Sequence, residues 1–185
     1  MKKEPFPEGI TTMTGQTKVG LSYLTMQLAD RMHRGQPTLM GQVIPCGHIM
    51  YITHMAKPAV DRRRYKLDLD WLHPVESAYF ITTLDQPVID AIEDNINGLP
   101  SPSTLPVTVF LDLYTPPSMW KVLNAFSLKY GLRIIASHCK VGKNKFVKQR
   151  MVLNTDGVLT IEWDVRIIAW ETLKLKKTGI GGFVL

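Results

Sequence analysis

The sequence has little cysteine and lacks long apolar runs. Cys46 and Cys139 are its two cysteines, and they lie far apart, without the close spacing of metal-ligand pairs. We therefore expect free thiols in a reducing cytoplasm and no disulfide scaffold. No stretch has the roughly 18 uninterrupted apolar residues of a membrane span, and no apolar run follows Lys2 and Lys3 as it would in a secretion signal. The sequence thus predicts a cytoplasmic protein without a membrane partner.

The rest of the composition is that of a globular protein with an excess of positive charge. Hydrophobic residues make up 45% of the 185 residues and charged residues 21%, as in domains that bury a core. We treat residues 1–185 as a single domain. Lysine and arginine number 22 against 16 aspartates and glutamates, which gives a formal net charge of +6. This charge favours an anionic partner without identifying it.

A lysine is missing from a segment that otherwise matches a phosphate-binding loop. Such a loop has the pattern G-x-x-x-x-G-K-[ST] between a strand and a helix. In Gly15-Gln16-Thr17-Lys18-Val19-Gly20-Leu21-Ser22 the glycines and the serine match, and leucine replaces the lysine. Main-chain N–H groups of these loops bind an anion at a helix N-terminus, and the serine hydroxyl ligates Mg²⁺. These eight residues are our candidate nucleotide site; the alternative is an ordinary glycine-containing turn.

Apolar periodicity predicts an α/β fold. The loop lies between a β-branched run at 10–13 and a helix whose apolar face ends near Gly35. The segment 107–112 is apolar almost throughout, as in a central parallel strand covered on both faces. The other predicted elements are strands at 48–53, 77–83, 132–137, 158–163 and 166–173, helices at 86–96 and 118–130, and a solvated helical face around 61–64. We expect a three-layer sandwich with a mostly parallel central sheet and a C-terminal antiparallel hairpin.

Polar side chains follow the predicted strands at the edge where parallel sheets bind ligands. Asp112 closes the most apolar strand and is placed to hold Mg²⁺ through water, together with Ser22; the alternative is an aspartate that caps a turn. His138, after the strand at 132–137, is a candidate sensor of a γ-phosphate or a structural histidine. His54 follows the strand at 48–53, where it is a candidate base near neutral pH.

A basic segment comes next along the chain. We expect 140–150 to be a loop without apolar periodicity, and its candidate nucleic-acid contacts are Lys140, Lys143, Lys145, Phe146, Lys148 and Arg150. Cations that neutralise phosphates give salt-dependent binding, and an aromatic ring can stack on the bases of single strands. Because the segment follows a strand that ends at the ligand edge, we predict contact with single-stranded DNA. A flexible solvated loop is the alternative.

With these segments in order, the chain resembles the RecA-like superfamily of P-loop ATPases, in particular the branch of plasmid RepA-type and DnaB-type hexameric helicases and KaiC. The resemblance spans 9–185 and rests on 9–22, 35–37, 48–52, 109–112, 134–138 and 174–179. It implies ATP and Mg²⁺ as ligands, assembly into a hexameric ring or a filament, and a DNA channel lined by 140–150. It also implies that Lys174 and Lys176 reach across a subunit interface towards the neighbour's nucleotide, as catalytic cations.

Two departures from this family weaken the expected catalysis. Leu21 replaces the loop lysine, and His54 stands where the family has its catalytic glutamate. Loss of one preorganised charge at a transferring phosphate costs about 10²- to 10³-fold in rate. We therefore expect an oligomeric protein that acts with DNA in replication or recombination, in a phage, plasmid or similar element, with weak or absent ATP hydrolysis.

Two alternatives stay open. The first is a pseudo-ATPase without enzymatic activity that kept the fold, lost the ligand, and pairs with or inhibits a homologous ATPase. The second is an active ATPase in which Lys18 replaces the missing loop lysine.

Overall fold

The computed structural model describes residues 5–16, 18–69, 75–100, 105–139, 144–163, 169–180 and 182–185. Short 3₁₀ turns occur at Leu39–Gly41 and Pro117–Met119. The α-helices in these ranges are α1 (Leu21–His33), α2 (Lys57–Leu67), α3 (Gln86–Asn97) and α4 (Trp120–Tyr130). The strands are β1 (Gly9–Gly15), β2 (Ile49–Thr53), β3 (Val75–Ala78), β4 (Thr108–Asp112), β5 (Arg133–Ser137), β6 (Val147–Leu153), β7 (Val158–Trp163), β8 (Ala169–Lys174), β9 (Lys176–Lys177) and β10 (Phe183–Val184).

Eight strands form one central sheet in the order β3-β2-β4-β5-β1-β6-β7-β8. In this spatial order, the strands β3, β2, β4, β5, β1 and β6 are parallel to one another. The pairs β6–β7 and β7–β8 are antiparallel. A separate antiparallel pair joins β9 and β10. The expectation of an α/β fold with a mostly parallel sheet and a late antiparallel hairpin is confirmed.

The strands β3, β2, β4, β5 and β1, which we call the parallel half, separate two hydrophobic cores. Along β2, Ile49 and Tyr51 pack into the first core, and Met50 and Ile52 pack into the second. Helix α1 covers the first core, and α3 and α4 cover the second. Every residue of β2, β4 and β5 is consequently buried. Each fully buried aliphatic side chain stabilises the fold by about 1.5–3 kcal/mol relative to an exposed one.

The strands β6, β7 and β8, which we call the antiparallel half, show a different pattern. Buried residues alternate with exposed or half-buried ones along β6 and β7. The buried side chains Met151, Leu153, Leu159 and Ile161 join the first core. Alternation of this kind is typical of antiparallel strands with one covered face.

Two expectations about the elements are wrong. Residues 147–150 belong to β6 and are not part of a loop. The strand predicted at 77–83 ends at Ala78, because Phe80 adopts a left-handed backbone with φ of 61°.

Other expectations are met or fall partly outside the described ranges. Helix α2 buries only Val60, as expected of a solvated helix around 61–64. Residues 166–168 of the predicted last strand, and Thr17, Lys140 and Lys143, lie outside the described residues. Among the described residues, the helices are too short or too polar to cross a bilayer.

Candidate functional site

The carboxyl ends of neighbouring strands meet around one buried carboxylate. Strand β4 pairs with β2 on one side and β5 on the other, so their ends lie at the same edge of the sheet. Asp112, the last residue of β4, is fully buried. Helix α1 begins at Leu21 beside this edge, which brings Ser22 of its first turn into contact with Asp112.

Three donors reach Oδ1 of Asp112. The Ser22 hydroxyl donates from 3.1 Å, the Ser137 hydroxyl from 3.1 Å, and Nε2 of His138 lies at 2.7 Å. Ser22 Oγ is also 3.1 Å from the same histidine nitrogen. His138 has a left-handed backbone, with φ of 57°, a conformation that histidine adopts more readily than most residues. The loop, β4 and β5 are thus tied together at one oxygen.

Two more donors reach the other carboxylate oxygen, and sequence reasoning missed both. Tyr51 Oη donates to Oδ2 from 3.2 Å and Thr53 Oγ1 from 2.9 Å. Tyr51 also shares a 3.0 Å hydrogen bond with Thr25 of α1. Burial and the nearby Asp112 charge raise the pKa of Tyr51 well above its ordinary value, so the phenol keeps its proton. Thr53 was detectable as a polar strand-end residue, but nothing in the sequence distinguishes Tyr51 from a core aromatic.

The Asp112 carboxyl is ionised despite its burial. Burial acts to raise its pKa, but the hydrogen bond and charge of His138, the charge of His54 and the hydrogen bond from Thr53 together hold the pKa below its usual value. A carboxylate offers about four acceptor positions, so the five donors fill them. A cation that binds here must replace some of these donors.

His54 forms hydrogen bonds with the main-chain carbonyl oxygen of the same aspartate. Its Nδ1 is 2.7 Å from the Asp112 carbonyl oxygen, which also accepts the His54 main-chain N–H at 3.0 Å. A carbonyl oxygen only accepts hydrogen bonds, so Nδ1 of His54 carries a proton and donates it to this oxygen. The rings of His54 and His138 stand edge to face, with centroids 5.0 Å apart. The structure therefore brings together four candidate residues that the sequence had placed on different elements: Ser22, His54, Asp112 and His138.

Residues 15–22 form the predicted bend between a strand and a helix. Gly15 ends β1, and a Cβ there would lie 2.8 Å from Val19 Cγ2 and 2.9 Å from the Leu153 carbonyl oxygen, so no side chain fits. Gly20 precedes α1 with φ of 95°, a conformation that favours glycine. The Val19 N–H donates to the Gln16 carbonyl at 3.3 Å, which closes a turn within the loop.

Two side chains of this bend lie in an apolar environment that a phosphate-binding loop does not require. Val19 is 3% exposed and Leu21 6% exposed, and both belong to the first core. The position that holds lysine in the phosphate-loop pattern is therefore a core position here. Lys18 is exposed, with φ of 67°. Lys18 is the lysine that the segment 15–22 contains.

The described part of the basic segment, residues 144–150, does not lie where the sequence had placed it. Val147, the first residue of β6, pairs with Ile10 at the amino end of β1, so the chain has crossed to the edge opposite the Asp112 carboxylate. The argument that 145–150 stay at the ligand edge because they follow β5 is wrong. The cause is that β6 runs parallel to β1 and must begin at the amino edge.

The described side chains of this segment differ in whether they are exposed or already in contact with other residues of the chain. Arg150 Nε donates to Glu162 Oε2 at 2.8 Å across the β6–β7 pair. Phe146 is half-buried against the second core, and the Lys145 ammonium lies 5.3 Å from its ring centre. Lys148 is exposed, and its aliphatic stem passes over Gly9.

Lys174 is the last residue of β8, Lys176 is the first residue of β9, and both side chains are exposed. Lys174 pairs with Val158 at the start of β7, at the edge where β1 ends, but β6 and β7 separate its strand from β1. With strands about 4.8 Å apart, Lys174 lies three strands from β1, whereas Lys176 pairs with Val184 in the separate β9–β10 pair.

Comparison of the sequence with protein-family models gives no match, and comparison with curated proteins gives none either.

Proposed function

We propose that this chain binds the phosphates of ATP, with Mg²⁺, at residues 15–22 and hydrolyses the nucleotide slowly or not at all. The observation that carries the proposal is the 3.1 Å hydrogen bond from Ser22 to Asp112. It joins the first turn of a helix that follows a glycine-containing bend to the acid at the end of a central strand. This is the pairing of hydroxyl and carboxylate that the sequence predicts for a magnesium–phosphate site.

The donor set fits such a ligand in its chemistry. A hydroxyl and a carboxylate are hard oxygen ligands of the kind that Mg²⁺ prefers, with water completing its octahedron. Main-chain N–H groups at the start of α1 and the partial positive charge of the helix favour a phosphate. Ser22 and Asp112 would hold the metal, and Gly15 to Gly20 the phosphates.

The same geometry supports weak binding and slow hydrolysis. Leu21 offers an apolar side chain in the core where a charge is expected, so no lysine from that position neutralises a transferring phosphoryl group. His54 is held by the Asp112 carbonyl and replaces a carboxylate base. The acceptor positions of Asp112 are already filled, which makes metal binding an exchange of ligands.

We further propose that the protein acts with single-stranded DNA in replication or recombination, as a homo-oligomer such as a hexamer. The net charge of +6 supports an anionic partner. The exposed Lys145 and Lys148 are the described candidates for phosphate contact, and Lys174 and Lys176 for contact with a neighbouring subunit. This part rests on the sequence resemblance and on exposure.

The alternative of a binding protein without enzymatic activity is favoured by one observation. Val19 and Leu21 are buried, and five donors satisfy Asp112, so the bend is held together without a ligand. Such a chain would pair with or inhibit a homologous ATPase. An active ATPase using Lys18 is the further alternative, because that lysine is exposed on the same bend.

Thermal unfolding with Mg-ATP and with Mg-ADP tests nucleotide binding, since a ligand that binds only the folded state raises Tm. We expect a rise at millimolar nucleotide in the native chain and in Lys145→Ala, which serves as the matched control. Ser22→Ala should lose the rise. No change with either nucleotide would contradict the nucleotide proposal and favour the non-enzymatic alternative. A phosphate-release assay of Lys18→Ala then tests the last alternative: unchanged turnover would exclude it.

Titration of labelled single-stranded DNA at two salt concentrations tests the DNA proposal. We expect affinity to fall with salt for the native chain, with a shallower dependence for Lys145→Ala/Lys148→Ala because two phosphate contacts are lost. Lys57→Ala/Lys66→Ala, on α2, is the matched pair with equal loss of charge. Equal effects of the two pairs would show a dependence on net charge alone and would contradict the assignment of the segment.

A further inference from the structure

We propose that His54, Asp112 and His138 form a binding site for a divalent transition-metal ion such as Zn²⁺. One ring nitrogen of each histidine and one carboxylate oxygen of the aspartate lie within 4.8 Å of one another. These residues come from the ends of β2, β4 and β5, which are neighbours in the sheet. The proposal concerns the carboxylate of the proposed nucleotide site but requires no nucleotide, so the two can fail separately.

The donor atoms favour a transition metal over Mg²⁺. Two imidazoles and one carboxylate are a common ligand set for zinc and for non-haem iron, whereas Mg²⁺ prefers oxygen ligands and keeps its waters. Three protein ligands leave a fourth position for water or a phosphate oxygen, as in zinc sites that bind substrates. Both histidines are exposed, so this fourth position is accessible.

The hydrogen bonds around the cluster are those that orient metal ligands. His54 donates its Nδ1 proton to the Asp112 carbonyl at 2.7 Å, so Nε2 is the ring nitrogen that would bind a metal, once it carries no proton. A hydrogen bond from the second ring nitrogen to a carbonyl is the usual support of a metal-binding histidine. Tyr51 and Thr53 fix Oδ2 of Asp112, so the carboxylate has one orientation and Oδ1 faces His138.

To admit a metal, the three ligand atoms, which lie within 4.8 Å of one another, must move to the spacing of a coordination shell, and the metal must displace hydroxyl donors from Asp112 Oδ1. Zinc–nitrogen and zinc–oxygen bonds of about 2.0–2.1 Å at a tetrahedral angle place two ligand atoms about 3.3 Å apart. His138 Nε2 is now 2.7 Å from Asp112 Oδ1, so these atoms must separate by a few tenths of an ångström. The imidazole can make this movement because its side chain is 35% exposed. Nε2 must also lose its proton, and the metal then takes the place of that proton between nitrogen and carboxylate.

Titration of chelator-treated protein with ZnCl₂ alone, without nucleotide, tests the proposal by calorimetry, with Co²⁺ absorption as a second readout of the ligand set. We expect one ion per chain, a four-coordinate Co²⁺ spectrum, and no displacement by millimolar Mg²⁺. His54→Ala and His138→Ala should each weaken binding by at least about 100-fold, since loss of a supporting residue alone commonly costs 10- to 100-fold. Thr53→Val should weaken it by about 10-fold. His33→Ala, at the end of α1, is the matched control and should bind as the native chain does.

Three results would overturn the proposal: no binding of Zn²⁺, binding that survives in His54→Ala/His138→Ala, or binding that is lost in Cys46→Ser and not in the histidine variants. Because His54 is exposed and, within the described ranges, bonds only the main-chain carbonyl of Asp112, His54→Ala should keep the native circular dichroism spectrum and Tm in the absence of metal. His138→Ala removes a partner of the buried Asp112 carboxylate and should lower Tm. An unfolded His138→Ala would shift the test to His138→Asn, which keeps a hydrogen-bond donor but removes the imidazole ligand. Retained affinity in that variant would also refute the site. If Zn²⁺ binds and Mg-ATP does not, the metal site stands and the nucleotide proposal falls.

Discussion

In the parallel half of the sheet every residue of β2, β4 and β5 is buried, whereas in the antiparallel half buried residues alternate with exposed or half-buried ones along β6 and β7. A strand covered on both faces has no side-chain position open to solvent except at its ends. Its polar side chains are therefore concentrated there, as Asp112 and His138 show. A strand with one covered face carries charge along its length, as the Arg150–Glu162 pair shows.

This difference in burial explains why the loss of a polar side chain should lower the free energy of unfolding more in the parallel half than in the antiparallel half. Around Asp112 four of the five donors are buried hydroxyls that lose their partner if the carboxylate is removed, and an unpaired buried donor costs about 1–3 kcal/mol. Arg150 and Glu162 are 31% and 44% exposed, and water replaces the lost partner. The following substitutions test this inequality by their effect on the free energy of unfolding.

Asp112→Ala should give the largest effect. It removes a buried carboxylate that accepts from four hydroxyls and an imidazole, and loss of one partner from a buried charged pair costs about 3–5 kcal/mol. Asp112→Asn keeps the volume and one acceptor, and should cost less. Urea unfolding followed by circular dichroism measures both. A loss below 1 kcal/mol for the alanine variant would mean that the network does not stabilise the parallel half.

Leu21→Lys should come next. The substitution restores the missing lysine of the phosphate loop, but it places the side chain in the first core, where Leu21 is 6% exposed. We expect a loss of about 2–4 kcal/mol from lost packing and charge burial, partly relieved if the ammonium reaches the surface. Leu21→Met, the volume-conserving control, should cost less than about 1.5 kcal/mol. A lysine variant as stable as the native chain, with a larger Tm rise in Mg-ATP, would show that this position faces the ligand.

Gly15→Ala should have an intermediate effect. The new Cβ would meet Val19 Cγ2 at 2.8 Å and the Leu153 carbonyl oxygen at 2.9 Å. Overpacking of this kind costs about 1–3 kcal/mol, and it would press β1 away from β6, where the two halves join. Gly179→Ala is the matched control, because nothing lies within 4 Å of a Cβ there. If the two variants had equal free energies of unfolding in urea, the bend would accommodate the added Cβ at no cost in stability.

Arg150→Ala should have the smallest effect. The ion pair with Glu162 is partly exposed, and such pairs contribute about 0.2–1 kcal/mol. A double-mutant cycle with Glu162→Ala at low and high salt isolates the pairwise energy, which should shrink as salt screens it. A coupling energy above 2 kcal/mol would contradict the contrast between the halves.

The sequence predicted the elements of the parallel half well, because their apolar runs and glycine-containing turns are strong local signals. It missed β6 for a physical reason. Lys148 and Arg150 lie on the exposed face of β6. Gln149 lies on its buried face but is polar, so the sequence does not show the alternation of apolar and polar residues that identifies a strand. Gln149 is buried because its Oε1 accepts from the Phe6 N–H at 3.0 Å and from Thr11 Oγ1 at 3.2 Å. These partners come from distant residues, which no local pattern reveals.

The site was predicted in part for similar reasons. Ser22, Asp112, His54 and His138 follow from strand ends and from the glycine spacing, which are local. The burial of Leu21 and the role of Tyr51 depend on which face of α1 and β2 meets the first core. The position of Lys145 and Lys148 depends on the direction of β6. Both are tertiary facts.

The first strand of the chain is also at the centre of the sheet, and this affects the order of folding. Gly9 pairs with Arg133, and Ile10 with Val147, so both neighbours of β1 are made late. At about 5–20 residues per second, a ribosome needs roughly 6–24 s to make the 120 or so residues between these partners. During synthesis β1 therefore remains without its neighbours until β5 and β6 have been made.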